Sequence, residues 1–180
     1  EADIGRPKAE VAAMHLRRID ARARIEVRVA SVGAEVGAGG SFLDDVDLVL
    51  DCTDNIEARL LLNRLALNHQ TPCVFCMVQG TSGMLYVADT QSGRACFSCV
   101  FGKKHPFQQP AVTGVLGAAV RFAAALQAAE AMKLLLGHPP TEGLVVFDVW
   151  RPRIETFPVA RDPACPACRA PPPPSTRFRA

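Results

Sequence analysis

Two cysteine pairs carry the plainest chemistry in this chain: Cys96-Phe97-Ser98-Cys99 and Cys165-Pro166-Ala167-Cys168. A tetrahedral zinc takes four soft ligands, and two C-x-x-C knuckles supply them as thiolates. The stretch between Cys99 and Cys165 is much longer than the roughly 15–20 residues of a zinc ribbon, so the fold itself has to bring the knuckles together. Spacing alone therefore leaves open a shared zinc, two unrelated thiol pairs or two disulfides. Cys73 and Cys76 have the same spacing but fall in a predicted strand, where residues three apart face opposite ways. They read as core thiols, as does Cys52 at the end of an apolar run.

A second cluster is acidic. Asp51-Cys52-Thr53-Asp54-Asn55 closes the apolar run Leu48-Val49-Leu50. Carboxylates at a strand end are costly unless solvated, paired or bound to a cation. Asp54 can cap the helix that starts near Asn55. It can also hold Mg-phosphate, as strand-end carboxylates of nucleotide-handling proteins do. Lys8 lies in the first turn of another helix, where the macrodipole disfavours a cation. It is either a solvated lysine at small cost or one partner of a phosphate bound at that helix start.

The elements that must position these groups alternate. Pro7 to Ala21 reads as a helix, Arg24 to Ala30 as a strand and Gly33 to Ser41 as a loop. A buried strand, Val46 to Cys52, leads into a helix from Asn55 to Asn68. Pro72 to Val78 and Met84 to Ala88 read as paired strands, followed by a polar loop from Gln91 to Pro110. The longest helix runs from Val112 to Leu136 and stops at Gly137 and Pro139-Pro140. Gly143 to Trp150 and Ile154 to Val159 are the last strands. The pattern predicts an α/β fold: a Rossmann-like, mostly parallel sheet with flanking helices, a cysteine-bearing C-terminal part and ligands beyond the strands' carboxyl ends. Pro171 to Pro174 mark residues 169–180 as a disordered tail.

Composition excludes several classes. The 180 residues are 49% hydrophobic and 21% charged, with a formal net charge of +2, which is ordinary for a globular domain. No lysine or arginine stripe suggests nucleic acid. The greasy stretch Ala111 to Gly137 is broken by Arg121, Gln127, Glu130 and Lys133, so no membrane span is expected. Glu1 to Gly5 does not read as a signal peptide, which with seven cysteines points to a reducing, cytoplasmic setting.

Asp3-Ile4-Gly5-Arg6-Pro7-Lys8-Ala9-Glu10, then Leu48 to Asn55 with Arg59 and Asn63, then Gly80 to Tyr86, resemble the ThiF/MoeB/HesA family of adenylyltransferases, bacterial relatives of ubiquitin-activating enzymes. The two C-x-x-C knuckles and Leu126-Gln127-Ala128-Ala129-Glu130-Ala131-Met132-Lys133 extend the resemblance, which runs from Asp3 to Cys168 in the family's order. It implies an adenylation domain over residues 1–168 that uses ATP, with Mg²⁺ arriving alongside it. The substrate implied is the Gly-Gly tail of a ubiquitin-like sulfur-carrier protein, whose carboxylate attacks the α-phosphate to give an acyl-adenylate. It gives Lys8 and Asp54 catalytic roles at the ATP phosphates and Mg²⁺, and puts Asn55 and Arg59 in the nucleotide site. It implies a shared structural Zn²⁺ on Cys96, Cys99, Cys165 and Cys168, and a homodimer.

The resemblance further implies an upstream segment, with the first strand and a glycine-rich phosphate turn, that these residues lack. Gly37-Ala38-Gly39-Gly40 follows the wrong element to replace that turn. Gln108 to Thr113, ahead of the long helix, holds no cysteine for a covalent link. Two other readings compete with an active adenylyltransferase. One is a catalytically inactive zinc-stabilised module that docks a ubiquitin-like partner. The other is a nicotinamide-dependent dehydrogenase, which lacks its fingerprint here and leaves the cysteines unexplained.

Overall fold

The structure, a computed structural model, describes residues 3–32, 43–89, 92–102 and 114–169. The loop Gly33–Ser41, the stretch Gln108–Thr113 and the tail beyond Arg169 lie outside them, so the expectations for those segments are not addressed. The chain divides into two compact units, Glu1–Gly40 and Ser41–Ala180.

The first unit holds one helix, α1 (Lys8–Ile19), entered through Pro7. Proline suits this position because its fixed φ is already that of a helix start. A strand was expected at Arg24–Ala30, but no ladder forms there among the described residues. Arg17 Nη2 donates to the Ile25 carbonyl at 2.9 Å, and Val29 remains 61% exposed. Alternation only makes a segment fit for a sheet; without a neighbouring strand it gains neither hydrogen bonds nor burial.

The second unit is α/β, as expected. Its elements are β1 (Val49–Asp51), α2 (Ile56–His69), β2 (Cys73–Gln79), β3 (Ser82–Ala88), α3 (Phe97–Phe101), α4 (Gly117–Leu135), β4 (Leu144–Asp148) and β5 (Arg153–Phe157). The strands form one sheet in the order β1-β2-β3-β4-β5. Among the strand pairs of this sheet β1 and β2, joined through α2, are parallel and the others antiparallel; an isolated parallel bridge also joins Gly80 to Val115. The sheet is thus mixed where a mostly parallel one was expected, and the connections explain it. A parallel pair needs a crossover, whereas Gly80-Thr81 joins β2 to β3 in two residues. Gly80, at φ +60°, supplies the left-handed backbone that the first position of such a hairpin demands.

Alternation along the strands divides the core. On one face Val74, Leu85, Val87 and Val145 form a buried cluster packed by Leu48, Cys76, Leu126 and Leu134, so α4 covers this side. On the other face Phe75 meets Phe97 of α3 at a ring-centroid distance of 4.3 Å, and Phe97 meets Phe101 at 4.6 Å. Cys73 is fully buried and Cys76 partly so, as expected for opposite faces of one strand. Cys52 differs from its core expectation: the β1 ladder ends at Asp51, so Cys52 lies just past it and is exposed. Among the described residues no helix is long and apolar enough to cross a membrane.

Candidate nucleotide and metal sites

The two knuckles meet. Sγ of Cys96 lies 3.8 Å from that of Cys99 and 3.7 Å from that of Cys165, and Cys99 lies 3.5 Å from Cys168. All the ligand atoms fall within 4.8 Å of one another. Sulfurs about 2.3 Å from one tetrahedral zinc stand about 3.8 Å apart, whereas a disulfide draws them to about 2.05 Å. The cysteines are free, and the donor set fits a closed tetrahedral metal.

Each knuckle is built locally. The Cys99 N–H donates to the Cys96 carbonyl at 3.0 Å, Cys165 N–H to Asp162 at 3.0 Å, and Arg161 Nη2 to the Cys168 carbonyl at 2.5 Å. Asn63 of α2, 2% exposed, accepts from the Phe97 N–H at 2.9 Å and donates to Ser98 Oγ at 3.0 Å, tying the first knuckle to the helix. Burial pushes the Cys96 and Cys99 thiols up. At Cys165 burial acts the same way but is outweighed by the N–H groups of Cys168 and Ala167, which lower it.

The second site is the turn after β1. Asp51 has a fully buried side chain whose Oδ2 accepts from Arg59 Nε at 2.9 Å. Its Oδ1 accepts from the Thr53 N–H at 3.0 Å and Thr53 Oγ1 at 2.6 Å. Arg59 also donates to the Thr53 carbonyl and, at 3.4 Å, to that of Cys76. From α4, Gln127 Nε2 donates to the carbonyls of Asp51 and Val74, each at 2.9 Å. One amide thus bridges the ends of two adjacent strands.

The helix cap is Asn55, not Asp54: its Oδ1 accepts from the Ala58 N–H at 2.8 Å. Capping needs the side chain at the last non-helical residue, and α2 begins at Ile56. Asp54 is therefore released from that duty and is exposed, with Asn55 Nδ2 at 3.4 Å. Asp54, Asn55 and Arg59 thus come together in one turn. Arg59, expected at the nucleotide, spends its donors on protein groups and shapes the turn.

Lys8 belongs to the first unit. It is exposed at the start of α1 and lines a shallow recess with Asp3, Ile4, Arg6, Val11, Ala12 and His15. Arg6 there pairs with Asp3 at 3.1 Å.

Sequence reasoning missed Gln127 as a clamp and Asn63 as a knuckle support. Both stood in the family-like segments without an assigned role; Gln127 also showed as one of the polar residues, with Glu130, on the buried face of a mostly apolar helix.

A family profile, ThiF family, matches residues 1–167. A sulfur carrier protein adenylyltransferase of Thermus thermophilus is 32% identical over 175 residues, covering 92% of this chain and 64% of its own length. Escherichia coli molybdopterin-synthase adenylyltransferase is 31% identical, covering 93% and 68%. The chain thus spans about two thirds of these relatives' length. Among solved structures, Escherichia coli MccB superimposes with a TM-score of 0.71 at 13% identity, over 100% of this chain and 55% of that one, a likeness of fold. A profile match over nearly the whole chain and relatives above 30% identity agree with the strand-end turn and paired knuckles: the chain belongs to the ThiF family.

Proposed function

We propose that this chain is the zinc-carrying part of an ATP-dependent adenylyltransferase that activates the C-terminal glycine of a ubiquitin-like sulfur carrier. The observation that carries the reading is the turn after β1. Buried groups hold Asp51 and Thr53 in place while the Asp54 carboxylate next to them is left exposed. A single carboxylate is what Mg²⁺ uses when substrate phosphates supply further ligands.

In this reading Asp54 takes the Mg²⁺ that accompanies ATP. Lys8 meets the phosphates, where a cation at a helix start costs nothing once an anion is bound. The carrier's terminal carboxylate attacks the α-phosphate, an acyl-adenylate forms and pyrophosphate leaves. Lys8 offsets charge gathering on the phosphate oxygens. Asn55 lies beside the nucleotide, and Arg59 acts through Asp51 by fixing the backbone ahead of Asp54. Cys96, Cys99, Cys165 and Cys168 hold Zn²⁺ as a cross-link, with no coordination position left for chemistry. A homodimer accords with the exposed Val120, Met132, Leu135 and Leu136 of α4 and its C-terminal end.

Isothermal titration of MgATP into the zinc-supplied chain tests the reading. Micromolar binding that disappears in Lys8→Ala and Asp54→Ala is the expected result. Absence of binding by a folded chain overturns it for this polypeptide and favours the inactive, partner-docking module.

A further inference from the structure

Cys52 and Cys76 take no part in the proposed metal or nucleotide chemistry, yet the fold sets them side by side. The parallel ladder pairs Leu50 with Val74 and Asp51 with Phe75 and ends there; Cys52 and Cys76 are the next residues along the two chains in that register. Residues two apart share a face, so Cys52 continues the row of Leu48 and Leu50, and Cys76 continues that of Val74. Both sulfurs reach α4 one turn apart: Cys52 Sγ lies 3.9 Å from Gln127 Oε1, and Cys76 Sγ lies 3.8 Å from the Ala123 carbonyl. Neighbouring strands run about 4.8 Å apart, inside the roughly 4.4–6.8 Å between Cα atoms that a disulfide spans. Cys52 is exposed and Cys76 is partly buried. Cys73, on the opposite face and fully buried, is not part of this pair.

We propose that Cys52 and Cys76 form an oxidative modification site, a thiol pair that a hydroperoxide closes into a disulfide. The exposed Cys52 sulfur attacks a peroxide oxygen, the O–O bond breaks, and the departing oxygen leaves as an alcohol or water after taking a proton. Cys52 is then a sulfenic acid. The Cys76 sulfur attacks the Cys52 sulfur, the S–S bond forms, and the hydroxyl leaves as water with the Cys76 proton. Two thiols are oxidised to one disulfide and one hydroperoxide is reduced. Burial pushes both thiols up, Cys76 to about 11, so the first step is slow and needs sustained peroxide. The product draws the Cys52 sulfur away from Gln127, in the backbone between Asp51 and Asp54.

The test is peptide mapping of the zinc-supplied chain after hydrogen peroxide. Trypsin leaves Cys52 in residues 29–59 and Cys76, with Cys73, in residues 65–94. The expected product is these two peptides joined with loss of two hydrogens, a species absent from Cys52→Ser and Cys76→Ser and retained in Cys73→Ser. Should Cys76→Ser fail to fold, Cys52→Ser at the exposed position serves: there Cys76 stays alkylatable after peroxide. Sulfinic acid or an external adduct on Cys52 with Cys76 still free overturns the proposal, as does a link through Cys73. The map needs no nucleotide, so it stands or falls separately from the adenylation reading.

Discussion

Asp51 and Arg59 are the residues on which the strand-end turn depends most. Their side chains are 0% and 10% exposed, and the pair is 2.9 Å apart. Breaking such a pair leaves one charge stranded, which costs about 3–5 kcal/mol, whereas replacing both partners costs far less. Arg59→Met is expected to lower the urea midpoint accordingly, and Asp51→Asn with Arg59→Met to recover most of it; equal losses would show that packing, not charge, dominates. Glu130 makes the corresponding case on α4. It is 5% exposed and accepts from Lys133 Nζ at 2.5 Å, Thr141 N–H at 2.8 Å and Thr141 Oγ1 at 2.7 Å. Burial alone would raise its carboxyl, but these donors outweigh burial and hold it below the ordinary 4.5. A depressed folded value means the stabilisation is present above the ordinary value and is lost as pH falls through the lower one. Glu130→Gln is therefore expected to be less stable than the parent at neutral pH, the gap closing in acid; a gap independent of pH would assign the effect to shape. At this scale the sequence was only partly legible. The two C-x-x-C pairs stood out as candidate ligands, but their spacing left a shared site, separate thiols and disulfides open, and only the fold brings the four sulfurs together. The cap was expected at Asp54 and lies at Asn55, since both residue types suit the role and one residue of helix phase decides it. Cys52 looked buried because an apolar run says nothing of where its ladder stops.

Elements were easier to read than their pairing. The strands of the second unit fall close to their expected positions because apolar runs ended by glycine, proline or asparagine leave few choices. Arg24–Ala30 alternates equally well and joins no strand ladder among the described residues, because strand pairing depends on a neighbour that local sequence does not specify. Close approach between elements was likewise invisible. Gly83 of β3 lies under the Phe147 ring: a Cβ there would meet Phe147 Cζ at 2.2 Å and the Met77 carbonyl oxygen at 2.6 Å. The ring is held from above by Phe122 of α4, at a centroid distance of 5.0 Å. A ring tip can swing aside, but a backbone oxygen in a ladder cannot. Gly83→Ala should cost about 1–3 kcal/mol, read as a lower thermal midpoint. An unchanged midpoint would mean that the β3–β4 pair opens without loss.

For the second unit as a whole, the four-cysteine cluster joins parts of the chain that secondary structure leaves apart. Cys96 caps α3 and Cys99 lies within it, whereas Cys165 and Cys168 follow the last strand, with α4 and the β4–β5 hairpin between them. A cross-link closing a loop of this length removes chain entropy from the unfolded state worth roughly 4 kcal/mol. Asn63 carries the constraint into α2, whose first turn bears Asn55 and Arg59. A metal held at the knuckles would therefore stabilise the same helix that frames the Asp54 turn. One zinc per chain is expected by atomic absorption, and a chelator is expected to lower the denaturation midpoint. Cys168→Ser should lower it similarly and remove most of the chelator's further effect, since both routes abolish the same cross-link. A chain that purifies without metal and ignores the chelator would mean that the four sulfurs pack as thiols.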